Sequence, residues 1–109
     1  MVFKTLSLAM APDGDPEKHR AKIKTGSFES TNIIIRLGDY DTAVRIAKQM
    51  VEKEGVNSVS LCPGFTHSGV AKVAEAVRGR AGVTVARGDP ESMAVIGPIL
   101  EREGFMKKP

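Results

Sequence analysis

The sequence predicts a single α/β domain, a small three-layer fold of about four mostly parallel strands with helices on both faces. Three observations lead there. β-leaning segments alternate along the chain with amphipathic helical ones, the turns between them are short, and "STNIIIRL" (30–37) carries three consecutive isoleucines, as an inner strand covered on both faces would. Strands joined through helices take right-handed crossovers. Counting the four strands in chain order, the arrangement that asks least of the connections is 2-1-3-4. The 109 residues, 41% of them hydrophobic, fit one domain over 1–109 with a core of real size.

The first strand is read over 2–11, "VFKTLSLAMA", with Leu6, Leu8 and Met10 on one side and Thr5, Ser7 and Ala9 on the other. In "PDGDPEKHRAKIK" (12–24) an Asp-Gly turn precedes Asp15 as helix cap and Pro16 in the first helical position, where its missing N–H costs nothing. That pattern predicts a short helix of about two turns. Because the helix is so short, an antiparallel pairing of the first two strands stays open. The second strand, 30–37, ends at Gly38-Asp39. Residues 40–54 put Ala43, Ile46, Ala47, Met50 and Val51 on one helical stripe and Arg45, Lys48, Gln49, Glu52 and Lys53 on the other face.

"GVNSVSLCP" (55–63) is the third strand, with Val59 and Leu61 facing one way and Ser58, Ser60 and Cys62 the other. "HSGVAKVAEAVRGR" (67–80) is helical again, and "GVTVARGDP" (82–90) supplies the fourth strand. Asp89-Pro90-Glu91 repeats the start of Asp15-Pro16-Glu17 and opens a last helix over 90–103. Its Met93, Val95, Ile96, Ile99 and Leu100 make a broader apolar surface than one sheet face requires, and Pro98 interrupts its hydrogen bonding. The excess predicts a homo-oligomer joined through the 90–103 helix; closing the chain's own core is the alternative use.

Composition removes several function classes. One cysteine makes no internal disulfide and suits a reducing, cytoplasmic setting. The start "MVFKTLSLAMAP" imitates a secretion signal but is shorter than the roughly 15–30 residues such segments need. No apolar run approaches the roughly 20 residues that cross a membrane. The net charge of +3 owes part of its excess to the tail "MKKP" (106–109). Basic and acidic residues otherwise alternate, so nucleic acid is not the expected partner.

Chemistry is sought where open parallel sheets place it, outside the carboxyl ends of the strands. That rule selects Pro12 to Asp15 after the first strand, Arg36 and Asp39 after the second, Cys62 to Ser68 after the third, and Arg87 to Asp89 after the fourth. Cys62, before a helix amino terminus, stands where a reactive thiolate is favoured, with His67 and His19 as candidate bases. The same cysteine also fits as a small buried hydrophobe. Gly64 and Gly69 bracket "FTHS" with the spacing of a phosphate loop, but Val70-Ala71 stands where that loop needs its lysine and hydroxyl. What survives is an anion cradle of Gly64, Thr66, Ser68 and Gly69, or simple helix capping. Arg36 and Arg87 either clamp a carboxylate or phosphate or pair with nearby aspartates. Two histidines in no ligand spacing predict no metal, and no cofactor motif is present.

"APDGDPEKHRA" (11–21), "DYDTAVRIAKQMVEKEGV" (39–56) and "LCPGFTHSGVAKVAEAV" (61–77) resemble a small family of bacterial proteins of about this length with no assigned activity. The family pattern after the cysteine is Gly-Gly-Phe, and here Pro63 replaces the first glycine, removing a backbone N–H. The resemblance implies the small α/β fold and points to His19, Cys62 and Gly64. Together these readings predict a protein that binds a small anionic ligand at the carboxyl-end edge of its sheet, with thiol chemistry at Cys62 as an added capability. A non-catalytic oligomerising or interaction domain is the alternative.

Overall fold

β1 (Phe3–Ala11) buries Leu6, Leu8 and Met10 and leaves Thr5, Ser7 and Ala9 on a partly covered opposite face. This is the period-2 alternation read from the sequence. The structure, a computed structural model, describes residues 1–106; Lys107 and Lys108 of the basic tail lie outside the described residues. After β1 come β2 (Arg20–Lys24), β3 (Phe28–Arg36), α1 (Tyr40–Glu54), β4 (Ser58–Leu61), α2 (His67–Ala76), β5 (Gly82–Val85) and α3 (Pro90–Arg102).

The four expected strands are β1, β3, β4 and β5. They lie side by side and parallel, so the first two strands pair in parallel after all. The sheet departs from expectation through a fifth strand. β2 runs antiparallel to β3 at the edge, giving a mixed sheet of order β2-β3-β1-β4-β5.

β2 stands where a two-turn helix is expected over 12–24. One turn does form, since the N–H groups of Lys18 and His19 donate to the Asp15 carbonyl. It then stops because "RAKIK" has the alternation of a strand and β3 offers it an open edge: the Ile34 N–H bonds the His19 carbonyl, and Arg20 to Lys24 pair with Ile33 to Glu29. Lys22 and Lys24 reach the buried Glu29 carboxylate at 3.7 and 3.5 Å. Lysines on an exposed edge also discourage further strand pairing.

Helices α1 and α2 pack on one face of the sheet. The core there joins Leu6, Leu8, Ile33, Ile35, Val59 and Leu61 to Ala43, Ile46, Ala47 and Val73. On β3, Ile33 and Ile35 are buried but Ile34 is 37% exposed, so the three isoleucines mark a strand covered on one face and not two. The helical layer expected on the opposite face is not built among the described residues: α1 and α2 share one core, and no residue of α3 is buried. The segments flanking α3 pass close to two rim turns. A Cβ on Gly88 would lie 3.6 Å from Pro63, and one on Gly104 would lie 3.7 Å from Pro12, the turns that follow β4 and β1. Both ends of the helix thus lie near the carboxyl-end rim. No helix among the described residues is long and apolar enough to cross a membrane.

Candidate functional site

Parallel β1, β3, β4 and β5 bring their carboxyl ends to a common rim. There, a depression of about 490 Å³ opens between the turn after β1 and the start of α1, lined by Pro12 to Glu17, Arg36, Asp39, Thr42 and Arg45. This volume lies within the range of small-molecule sites.

One wall is the 12–17 turn, and its position is set by Gly14. The Gly14 and Leu37 N–H groups both donate to the Ala11 carbonyl, at 3.0 and 2.9 Å. This draws the turn against β3 so closely that a Cβ on Gly14 would lie 2.1 Å from the Ile35 carbonyl oxygen. Asp15 Oδ1 accepts the Glu17 N–H at 3.0 Å, and the Asp15 N–H donates to His19 Nδ1 at 2.9 Å. His19 is thus part of the turn's scaffold.

The facing wall is the end of β3 and the first turns of α1. Asp39 caps that helix, its Oδ1 accepting the Thr42 N–H at 3.2 Å and its Oδ2 the Thr42 hydroxyl at 2.6 Å. Those hydrogen bonds, helped by Arg45 and Arg36, hold the Asp39 carboxyl below its ordinary range. A lowered folded-state value means that the stabilisation is complete above the unfolded carboxylate value and is lost as the pH falls through the folded one. Asp39→Ala is expected to cost about 1 kcal/mol at neutral pH. Asp39→Asn should keep most of the cap yet show a shallower loss of stability than the native chain below roughly pH 4, read by urea titration at several pH values.

Of the chain's seven arginines, Arg78, Arg80, Arg87 and Arg102 form ion pairs and Arg20 donates to the Pro16 carbonyl. Arg36 and Arg45 have no hydrogen-bond or ion-pair partner among the described residues, and both line the depression.

The other expected site residues are distributed differently. Arg87 pairs with Asp89 and lines neither this depression nor the one beside His67. Cys62 is half-buried, packs against the core and donates its N–H to the Leu8 carbonyl at 3.1 Å; no hydrogen bond joins it to His19 or His67 among the described residues. The 62–69 turn is shaped by packing. Thr66 caps α2 by accepting the Gly69 N–H at 3.0 Å, and its own N–H donates to the Tyr40 hydroxyl at 3.2 Å. Tyr40 in turn lies against Gly69 and, with ring centroids 5.4 Å apart, against the buried Phe65. Gly64 sits beside Met10 and Cys62, while His67 and Ser68 are exposed. His67 belongs to a second, mostly apolar depression with Pro63, Phe65, Val70, Ala71 and Val85. Arg36, Cys62 and Arg87 thus share the rim without sharing a pocket. Among the described residues, no three His, Cys, Asp or Glu side chains converge as metal ligands would.

A family model matches residues 3–97, which include every residue lining the first depression. The chain belongs to the DUF6506 family. DUF6506 is described as a family of unknown function. No curated protein and no solved structure matches the chain. In this DUF6506 member Asp13, Asp15, Arg36 and Asp39 lie where the strand-end rule looks, whereas Arg45, Thr42 and Glu17 join the site without a signal of their own in the sequence. Arg45 has the spacing of a solvent-facing helix residue, and it becomes a site residue only because the 12–17 turn folds back toward it.

Proposed function

We propose that the protein binds a small molecule carrying a carboxylate or phosphate in the depression between the 12–17 turn and α1, with Arg36 and Arg45 as its ligands. The observation that carries this reading is the pair of unpartnered arginines on one wall. Guanidinium groups elsewhere in the chain find an acidic or carbonyl partner, and two left open around one concavity make a fork-shaped anion receptor. The single cysteine keeps a cytoplasmic setting within this proposal. Calorimetric titration with inorganic phosphate and with succinate tests it. Arg36→Ala and Arg45→Ala are each expected to weaken binding about tenfold, the scale of one charge-assisted contact. Failure of both anions to bind the native chain would refute the reading.

α3 supports a second proposal, self-association. A 13-residue helix interrupted by Gly97 and Pro98 has little helical stability of its own, since glycine costs about 1 and proline about 3 kcal/mol in a helix interior. It needs packing, yet Val95, Ile96 and Ile99 stay exposed, Val95 by 68%. A two-fold axis beside Gly97 would bring this apolar surface against its own copy. An antiparallel copy would set Val95 against the partner's Ile99, and would set Arg102 beside the partner's Ser92 and Glu91. Light scattering should give a dimer mass for the native chain and a monomer mass for Ile99→Glu at unchanged circular dichroism. A native monomer would exclude the dimer.

A further inference from the structure

The acidic wall of the depression narrows the class of ligand. Four carboxylates line it, and two are already committed, Asp39 to Thr42 and Asp15 to the Glu17 N–H. Asp13 and Glu17 have no side-chain partner among the described residues, just as Arg36 and Arg45 have none. Two carboxylates and two guanidinium groups without a hydrogen-bond or ion-pair partner among the described residues therefore line one concavity, the guanidinium groups close enough to Asp39 to help lower its carboxyl. Their supports hold the walls in place. Gly14 fixes the turn against the Ile35 backbone, Arg36 ends a strand paired along its length with β1, and Arg45 rises from a helix whose stripe is in the core. A simple anion would satisfy the arginines and leave two carboxylates beside it, which weakens its binding.

We infer that the ligand is a zwitterion, with its phosphate or carboxylate on Arg36 and Arg45 and its ammonium group on Asp13 and Glu17. This rests on the anion-binding reading of the same depression and specifies the other half of the molecule. A dipolar ligand answers both walls at once, and the cleft of about 490 Å³ admits one of amino-acid size.

The test uses matched probes that differ only in the ammonium group. Calorimetry on the full chain at fixed ionic strength compares phosphoethanolamine with ethyl phosphate, and β-alanine with propionate, which also separates phosphate from carboxylate recognition. The zwitterion of at least one pair is expected to bind about fivefold more tightly, the scale of two partly exposed ion pairs. In the Asp13→Asn/Glu17→Gln double variant that preference should vanish, while the simple anion binds at least as well as before. Equal affinities within both pairs would overturn the inference and leave the anion reading standing. Silence from all four probes would overturn both. A preference that persists in the double variant would overturn the assignment to Asp13 and Glu17.

Discussion

Gly14→Ala is expected to destabilise the protein by about 3 kcal/mol, among the larger effects a single methyl group can have. The new Cβ would lie 2.1 Å from the carbonyl oxygen and 2.5 Å from the carbonyl carbon of Ile35, and neither is a side chain that can rotate away. Ile35 pairs with Met10 of β1, and β2 braces the other edge of β3 as far as Ile33, so the strand resists displacement. The turn has to lift. Lifting it breaks the Gly14 N–H bond to Ala11 and loosens the Leu37 bond to the same carbonyl. The cause is steric, since Gly14 does not have a positive φ. Urea denaturation should show a lower midpoint at unchanged slope, and anion binding should fall with it, because the turn is one wall of the depression. Gly64→Ala is the control: its Cβ would meet only side-chain atoms, at 3.5 and 3.8 Å, and should change stability by less than about 0.5 kcal/mol. Equal, small effects of the two substitutions would mean that the close approach of the turn to β3 is not needed.

How far the fold was legible depended on whether local pattern and tertiary context agreed. In α1 the stripe of Ala43, Ile46, Ala47, Met50 and Val51 is both the sequence period and the buried face. At 12–24 the two disagree. Asp15-Pro16 does start a helical turn, but the period-2 pattern of Arg20 to Lys24 prevails because the edge of β3 can pair with it. Nothing local announces that edge. Ile34 misled in the same way, since a run of three isoleucines cannot show that only alternate members will be covered. In the site, Arg36 was legible from the strand-end rule because β3 does run parallel to β1. Arg87 obeyed the same rule but is paired within its own loop, and Arg45 obeyed no rule, being recruited by a turn 30 positions away in sequence. Pairing state and concavity decide between such residues, and both are properties of the folded chain.

Gly69→Ala should cost about 2 kcal/mol in the native background and turn stabilising once Tyr40 is truncated. Gly69 lies in the first turn of α2, where alanine would ordinarily gain up to about 1 kcal/mol in helix propensity. Against that, its Cβ would stand 2.5 and 2.6 Å from two carbons of the Tyr40 ring. The ring has little freedom to retreat, because Phe65 packs against it and its hydroxyl accepts the Thr66 N–H. Crowding of this kind costs about 1–3 kcal/mol and prevails over the propensity gain. Tyr40→Ala removes the obstacle and should itself be destabilising, but adding Gly69→Ala to it should then recover part of the loss. A double-mutant cycle read by urea unfolding therefore predicts a coupling of about 3 kcal/mol, the strained methyl plus the unmasked propensity. Additive behaviour would show that the ring and the glycine do not constrain each other. The same contact bears on the site. Tyr40 is the first residue of α1, next to Asp39, so a displaced ring would shift the helix turn that presents Thr42 and Arg45 to the depression. Phosphate affinity in Gly69→Ala should consequently fall although residue 69 lines no part of that depression, and Tyr40→Ala/Gly69→Ala should not recover it if the ring is what positions the turn.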